Sequence, residues 1–196
     1  MSKTIDELAA KKQPELYWSK PKGMLPNSRF PLLVYRNALP NGGGDALIAR
    51  FRANNWSNNW RYPGVYGYAH FHSTTHECLG CAGGWMDVEV FGAGGTSLRI
   101  EAGDVMVLPA GVSHAMTAHS DDIMMVGGYP DGRDWDNMRE TALDEAGRRA
   151  ATKRIMMLPI PSRDPVTGEP MQAWIDAPSS VDAGLNEFRD QLDEPQ

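Results

Sequence analysis

Residues 70–77 read HFHSTTHE, in which two histidines two positions apart are followed by a third histidine and a glutamate. The run VYGYAHFH (65–72) that leads into this stretch is typical of a strand, and side chains two apart on a strand emerge on the same face. We therefore expect His70 and His72 to point together, with Glu77 at the start of the next strand. Imidazole nitrogens and carboxylate oxygens are common metal ligands at neutral pH.

A second stretch, GDVMVLPAGVSH (103–114), supplies one more histidine, His114, after a tight turn, a short strand and a proline that ends it. Three imidazoles and one carboxylate can meet only if the strands that carry them are neighbours in space. The sequence therefore predicts a metal site formed by His70, His72, Glu77 and His114.

Short strand-like runs separated by glycine and proline turns surround these two stretches, a pattern typical of a sandwich or barrel. The predicted strands are PLLVYR (31–36), DALIARFR (45–52), HECLGC (76–81), GWMDVEVF (84–91), TSLRIE (96–101), DVMVLP (104–109), SHAMTA (113–118) and IMMVGGY (123–129). The asparagine-rich ANNWSNNWR (53–61) breaks the pattern and favours turns. Residues 137–152 predict a helix, and RIMMLPIP (154–161) predicts a returning edge strand.

The chain has 196 residues, of which 41% are hydrophobic, so one domain with one core is expected. We expect an N-terminal arm or helix over 1–31, a β-barrel core over 32–130 and a C-terminal helical extension over 131–196. The formal net charge of -6 argues against nucleic acid, whose binding needs a basic face. Neither a signal peptide nor a membrane span is evident, and a cytoplasmic protein without a membrane partner is expected.

The spacing of the two histidine stretches resembles the cupin superfamily, the RmlC-like proteins. Gly64-x5-His70-x-His72-x4-Glu77-x6-Gly84 matches the first cupin motif, and Gly103-x5-Pro109-x-Gly111-x2-His114 matches the second. Ala118 stands where the second motif usually has an asparagine that is not a ligand. From about residue 25 to 175 the chain resembles the bacterial YjlB-type cupins, a group without an established activity. The resemblance implies an all-β fold with a single jelly-roll β-barrel.

A ligand set of three histidines and one glutamate favours octahedral Fe(II), Mn(II), Ni(II) or Co(II), with Zn(II) as a further option. One divalent metal ion is therefore the expected cofactor, and its open coordination positions indicate catalysis or ligand capture. The competing interpretation is four buried polar groups satisfied by hydrogen bonds, as in cupins that have lost their metal.

Further candidates for the pocket come from the predicted inward faces of the strands and from their ends. The candidates are Tyr66, Tyr68, His76, Cys81, Met116, Arg61 and Arg133. An arginine at a strand end could hold a substrate carboxylate, and the segments 53–62 and 127–137 could form a lid. His76 is otherwise a loop histidine. Cys78 and Cys81 form a CxxC, but on a strand their sulfurs point to opposite faces, so neither a zinc site nor a disulfide is predicted.

Three functions remain open from the sequence. The first is a metal-dependent oxidoreductase of the dioxygenase type that acts on a small organic molecule. The second is an isomerase or epimerase in which the metal is a Lewis acid and His76 or Tyr66 moves a proton. The third is a metal-dependent module that binds a small molecule without converting it. A homodimer formed through sheet edges and the N-terminal arm is also expected.

Overall fold

The computed structural model describes residues 12–40 and 43–178, and these form nine strands and three short α-helices. The strands are β1 (Glu15–Tyr17), β2 (Leu32–Tyr35), β3 (Trp56–Tyr62), β4 (Glu77–Gly83), β5 (Trp85–Val90), β6 (Thr96–Glu101), β7 (Val105–Leu108), β8 (His114–His119) and β9 (Met124–Pro130). The helices are α1 (Gly44–Ala53), α2 (Glu145–Met157) and α3 (Gln172–Ile175), with a 3-10 turn at Glu140–Ala142.

The strands form two antiparallel sheets. One sheet has six strands in the order β1-β2-β7-β4-β9-β3, and the other has three in the order β6-β5-β8. The all-β, jelly-roll fold class predicted from the sequence is confirmed. Within the described residues the barrel is not closed, because hydrogen bonding stops at the edges of each sheet and leaves two sheets packed face to face.

The main core lies between the two sheets. Met86 and Val88 on β5 and Leu79 on β4 belong to one buried cluster, which joins the small sheet to the large one. The strand predicted for GWMDVEVF is confirmed as β5, along which buried and partly exposed side chains alternate. This core holds the two sheets together just beside the histidine stretches.

A second core covers the outer face of the six-stranded sheet. Leu47 and Phe51 of α1 pack there beside Trp174 of α3. The strand predicted for DALIARFR is wrong, because its two buried side chains are four residues apart and so lie on one helical face. Gly80 on β4 makes room for them, since a Cβ there would lie 2.8 Å from a methyl group of Leu47.

The two cysteines divide between these cores. Cys81 belongs to the cluster between the sheets, and Cys78 belongs to the outer cluster. Both thiols are free and buried. The prediction that their sulfurs point to opposite faces is therefore confirmed.

Three further predictions of secondary structure are wrong. The asparagine-rich segment forms strand β3, which tolerates Asn58 at a φ of 53° because the register shifts in a bulge there. Residues 65–72 are mostly irregular and make isolated bridges at His70 and Phe71. The edge strand predicted for 154–161 is absent among the described residues, since α2 continues to Met157.

The helix predicted over 137–152 begins later than expected. Asp144 caps α2 by accepting a hydrogen bond from the backbone N–H of Gly147, so the helix starts at Glu145. The helix predicted near the N-terminus and the polar tail after residue 178 lie outside the described residues. Within the described ranges, no helix has the length and apolar character needed to cross a membrane.

Candidate metal centre

The histidine stretches meet where the two sheets approach each other. His114 opens β8 in the small sheet, and Glu77 opens β4 in the large one. His70 pairs with His114 through two backbone hydrogen bonds of 3.2 and 2.9 Å, which attach the irregular segment to the end of β8. The two side chains do meet, as predicted, but not because they alternate along a regular strand. The isolated bridge between His70 and His114 holds this segment at the site.

The four predicted ligands are close together and buried. One ring nitrogen from each of His70, His72 and His114 lies within 4.8 Å of the other two. Glu77 Oε2 lies 3.3 Å from Nε2 of His72 and 3.5 Å from Nε2 of His114. Each of the four residues is at most 6% exposed. The structure therefore brings together the whole ligand set predicted from the sequence.

Backbone carbonyls fix the orientation of the three imidazole rings. Each Nδ1 lies within hydrogen-bonding distance of a main-chain oxygen, at 3.1 Å for His70 and 3.2 Å for His114. The accepting carbonyls belong to Tyr68, Asp136 and Val112. A carbonyl can only accept, so Nδ1 carries the proton and the lone pair of each neutral ring is on Nε2. This is the arrangement of histidines that bind a metal through Nε2.

Glu77 is held at one oxygen only. The hydroxyl of Tyr129 donates to Oε1 at 2.9 Å and accepts a hydrogen bond of 2.9 Å from the indole N–H of Trp60. Oε2 is buried and has no hydrogen-bond partner among the described residues. A buried carboxylate oxygen without a donor is costly unless a cation satisfies it.

The pKa values of the site fit the same interpretation. Burial alone would raise the pKa of Glu77, but the neighbouring His72 and His114 imidazoles hold it at about 2. Burial lowers the pKa of His114 to about 3 and also lowers that of His70, whereas at His72 burial is outweighed by the nearby Glu77 carboxylate, which raises the pKa. An ionised carboxylate therefore faces at least two neutral imidazoles at pH 7. This donor set fits a divalent metal ion better than a set of satisfied polar core groups.

Asp136 is a part of the site that the sequence reasoning missed. Its backbone carbonyl orients His72, while its carboxylate accepts hydrogen bonds from the backbone N–H of Ser73 at 2.6 Å and that of Thr74 at 3.2 Å. Arg154 of α2 donates to the Ser73 hydroxyl at 2.8 Å. The polar STT run between the ligands was the available signal, since it needs an acceptor to fix its backbone.

A cavity of about 430 Å³ opens above the ligand cluster. Besides the four ligands, its aromatic lining consists of Trp60, Tyr62, Tyr66, Tyr129 and Trp135. The two segments predicted as a lid supply most of these rings. Trp60 can lie flat on β9 because Gly127 has no side chain, and a Cβ there would come within 2.0 Å of the indole.

Several candidates for the pocket do not line this cavity. Tyr66 lines the cavity, whereas Tyr68 does not and instead stacks on Tyr66 with ring centres 4.9 Å apart. Cys81 lies in the core between the sheets, and Met116 packs against that core. These two positions were assigned by strand alternation, which carries their side chains into the core and away from the open end of the site.

The structure also corrects His76 and the two arginines. The His76 ring is buried against Trp174, with ring centres 4.7 Å apart, and Nδ1 accepts the backbone N–H of Ala110 at 2.9 Å. His76 is therefore a loop histidine, as predicted, but it is buried and cannot move a proton in the cavity. Arg61 alternates outward between Trp60 and Tyr62 and pairs with Asp45.

Arg133 likewise does not line the cavity. It follows the turn at Asp131 and Gly132 and is exposed to solvent. The expectation that an arginine at a strand end would hold a substrate carboxylate is therefore not supported by the lining of this cavity.

Comparison with known proteins identifies the family. The chain is 34% identical over 169 residues to the uncharacterized protein YjlB of Bacillus subtilis (strain 168), a match that covers 84% of this chain and 98% of that protein. The chain belongs to the YjlB family. No family model matches the sequence.

Solved structures similar to this YjlB-family chain are distant. They include RmlC from Streptococcus suis in complex with dTDP-D-xylose, at 16% identity over 60% of this chain and 70% of that one, with a TM-score of 0.33. Acireductone dioxygenase from Bacillus anthracis is 19% identical over 54% and 52% of the two chains, with a TM-score of 0.28. Procruciferin from Brassica napus is 13% identical over 54% of this chain, with a TM-score of 0.36, and the match spans 26% of its length. Likenesses this weak carry no argument about chemistry.

Proposed function

We propose that this protein is a metal-dependent oxidoreductase of the dioxygenase type that acts on a small organic molecule. The observation that supports the proposal is the convergence of three imidazole nitrogens and the unpartnered Oε2 of Glu77 at the base of an open cavity. A nitrogen and oxygen donor set without thiolate favours Fe(II), Mn(II), Ni(II) or Co(II), and also accepts Zn(II). A redox-active metal bound there would supply electron exchange between an organic substrate and dioxygen at its open positions.

The chain's own residues would prepare the site for this chemistry. Three main-chain carbonyls hold the imidazoles so that Nε2 is free, and Tyr129 holds Oε1 of Glu77 so that Oε2 faces the cluster. The aromatic walls exclude water from one side of a bound substrate and leave the other side open for entry.

The test is oxygen consumption by the full chain under defined metal loading. The protein is purified without oxygen, loaded in turn with each of the five metals, and mixed with a panel of diketones, thiols and catechols. We expect oxygen uptake with at least one compound, with Fe(II) or Mn(II) but not with Zn(II). Glu77→Gln should abolish it, while Glu101→Gln, which changes an exposed carboxylate at the end of β6, should not.

Other outcomes would separate the alternatives. Full metal occupancy without oxygen uptake for any compound would contradict the oxidoreductase proposal. Conversion of a compound without oxygen, equally with Zn(II) and Mn(II), would identify an isomerase, for which Tyr66 is the remaining proton carrier among those predicted. Tight retention of an unchanged compound would identify a binding module.

A further inference from the structure

Aromatic rings pack against two of the three histidine ligands. Tyr66 meets the edge of the His70 ring with centres 5.0 Å apart and planes at 78°. Trp135 lies 5.5 Å from the ring centre of His72 and is nearly parallel to Tyr129, at 6.3 Å and 25°. The cavity is therefore bounded by an aromatic wall on the His70 side and another on the His72 side.

These rings remain open to the cavity and to solvent. Trp135 is 39% exposed and Tyr66 is 41% exposed, although each lines a cavity directly above a buried polar cluster. Tyr62, at 58% exposed, adds a third ring to the lining. Large aromatic surfaces left uncovered beside a concave site mark a place where a ligand binds.

We propose that the cavity binds a small planar aromatic molecule between Tyr66 and Trp135, with a polar edge of that molecule directed at the ligand cluster. This proposal rests on the proposed function, since it names the substrate class for the same site. Tyrosine and tryptophan favour another ring in offset-stacked or edge-to-face geometry, so aromatic rings beside two of the histidine ligands favour a flat ligand over a branched one. A cavity of about 430 Å³ holds a molecule of one or two rings.

The experiment compares two small ligands that each present two oxygens. The first is 4-nitrocatechol, which has a ring, and the second is acetylacetone, which has none. Binding to the zinc-loaded full chain is measured by calorimetry, because Zn(II) is redox-inert and allows no oxidation. Both ligands can use the metal but differ in their intrinsic affinity for Zn(II), so the contribution of the aromatic walls is read from how each affinity changes when a wall residue is replaced.

We expect the affinity for 4-nitrocatechol, but not that for acetylacetone, to depend on the aromatic walls. Trp135→Ala should weaken 4-nitrocatechol by about tenfold and leave acetylacetone within about twofold, whereas Trp135→Phe should keep most of the affinity. Tyr66→Leu should act in the same direction from the opposite wall. Trp18→Ala is the matched control, since Trp18 is 51% exposed and does not line the cavity, and should change neither affinity.

Two results would overturn the proposal. One is a loss of 4-nitrocatechol affinity of less than about twofold in both Trp135→Ala and Tyr66→Leu. The other is an equal loss for both ligands in Trp135→Ala and Tyr66→Leu with zinc occupancy unchanged. Failure here differs from failure of the proposed function: oxygen uptake with an aliphatic diketone alone would keep the oxidoreductase and reject the aromatic substrate. Binding that is selective for the aromatic ligand, without oxygen uptake, would keep the aromatic ligand class and reject the oxidoreductase.

Discussion

Two buried carboxylates, Glu77 and Asp164, lie on opposite sides of the six-stranded sheet, and each accepts a hydrogen bond from a buried tyrosine. Asp164 Oδ2 accepts from Tyr35 at 2.5 Å, and Oδ1 accepts from two backbone N–H groups at 2.8 and 3.0 Å. Those N–H groups belong to Val166 and Thr167. Glu77 accepts only from Tyr129, and its second oxygen has no partner within the described part of the chain.

This difference separates a group that stabilises the fold from a group that is arranged to bind something. Every oxygen of Asp164 is used, so it closes the 164–169 loop over the outer core. Glu77 is just as buried, yet it is ionised, since His72 and His114 overcome the effect of burial and hold its pKa at about 2. A buried anion with one free oxygen and imidazoles beside it lacks only a cation.

The largest expected effect is the loss of metal binding in Glu77→Gln. The amide keeps the shape of the side chain and can still accept from Tyr129, but it removes the negative ligand. We expect metal affinity to fall by at least about 100-fold, or about 2.8 kcal/mol, when competition with a chromogenic chelator is measured. Asp164→Asn is the matched control and should keep the parent affinity. Metal affinity that is equal in both variants would remove the distinction between the two carboxylates.

For the free energy of unfolding, we expect the larger loss in Asp164→Asn and the smaller one in Glu77→Gln. Asp164→Asn keeps the two backbone hydrogen bonds but places an amide against the Tyr35 hydroxyl, and it should lower the free energy of unfolding of the metal-free protein by about 2 kcal/mol. Urea denaturation measures this, and Glu77→Gln should change the same quantity by less than about 1 kcal/mol. A larger loss for Glu77→Gln than for Asp164→Asn would show that Glu77 is primarily a structural group.

The sequence predicted the ligands better than it predicted the strands that carry them. The spacing of the two motifs named His70, His72, Glu77 and His114, and the structure brings these four together. The strand inferred for 65–72 was wrong, because a single bridge to β8 replaces it. Motif spacing reflects the final geometry of the ligands, whereas periodicity reports only local backbone preference.

The residues around the ligands were harder to predict, because they come from distant parts of the chain. The contact of Asp136 with His72 spans 64 residues, and the contact of Tyr129 with Glu77 spans 52. Neither is visible in a local pattern. The sequence places His76 in a loop before Glu77, but its contact with Trp174 joins residues 98 apart in the chain and no local pattern predicts it. Helix α1 was missed because its apolar residues also suit a strand.

A smaller effect is expected when the two tyrosines are compared. Tyr129→Phe removes the hydrogen bond that fixes Oε1 of Glu77, so the carboxylate can rotate, and metal affinity should fall by about tenfold. Tyr35→Phe removes the equivalent bond to Asp164 and should leave metal affinity unchanged while lowering the free energy of unfolding by about 1 kcal/mol. Chelator competition and urea denaturation of both variants measure the two effects. Unchanged metal affinity in Tyr129→Phe would show that Glu77 is oriented by its strand alone.

The smallest effect is expected at the two cysteines, which lie on the same two sides of the sheet as the carboxylates. Cys81 packs between the sheets and Cys78 in the outer core, so Cys78→Ala and Cys81→Ala should each cost about 1 kcal/mol of unfolding free energy. Metal content, measured by elemental analysis after equal loading, should match that of the parent in both variants, because neither sulfur faces the histidine cluster. A drop in metal content in the double variant, with the fold intact by circular dichroism, would mean that the CxxC contributes a ligand. The predicted set of three histidines and one glutamate would then have to be revised, and zinc would become the expected metal, since thiolate ligands favour zinc over the harder metals.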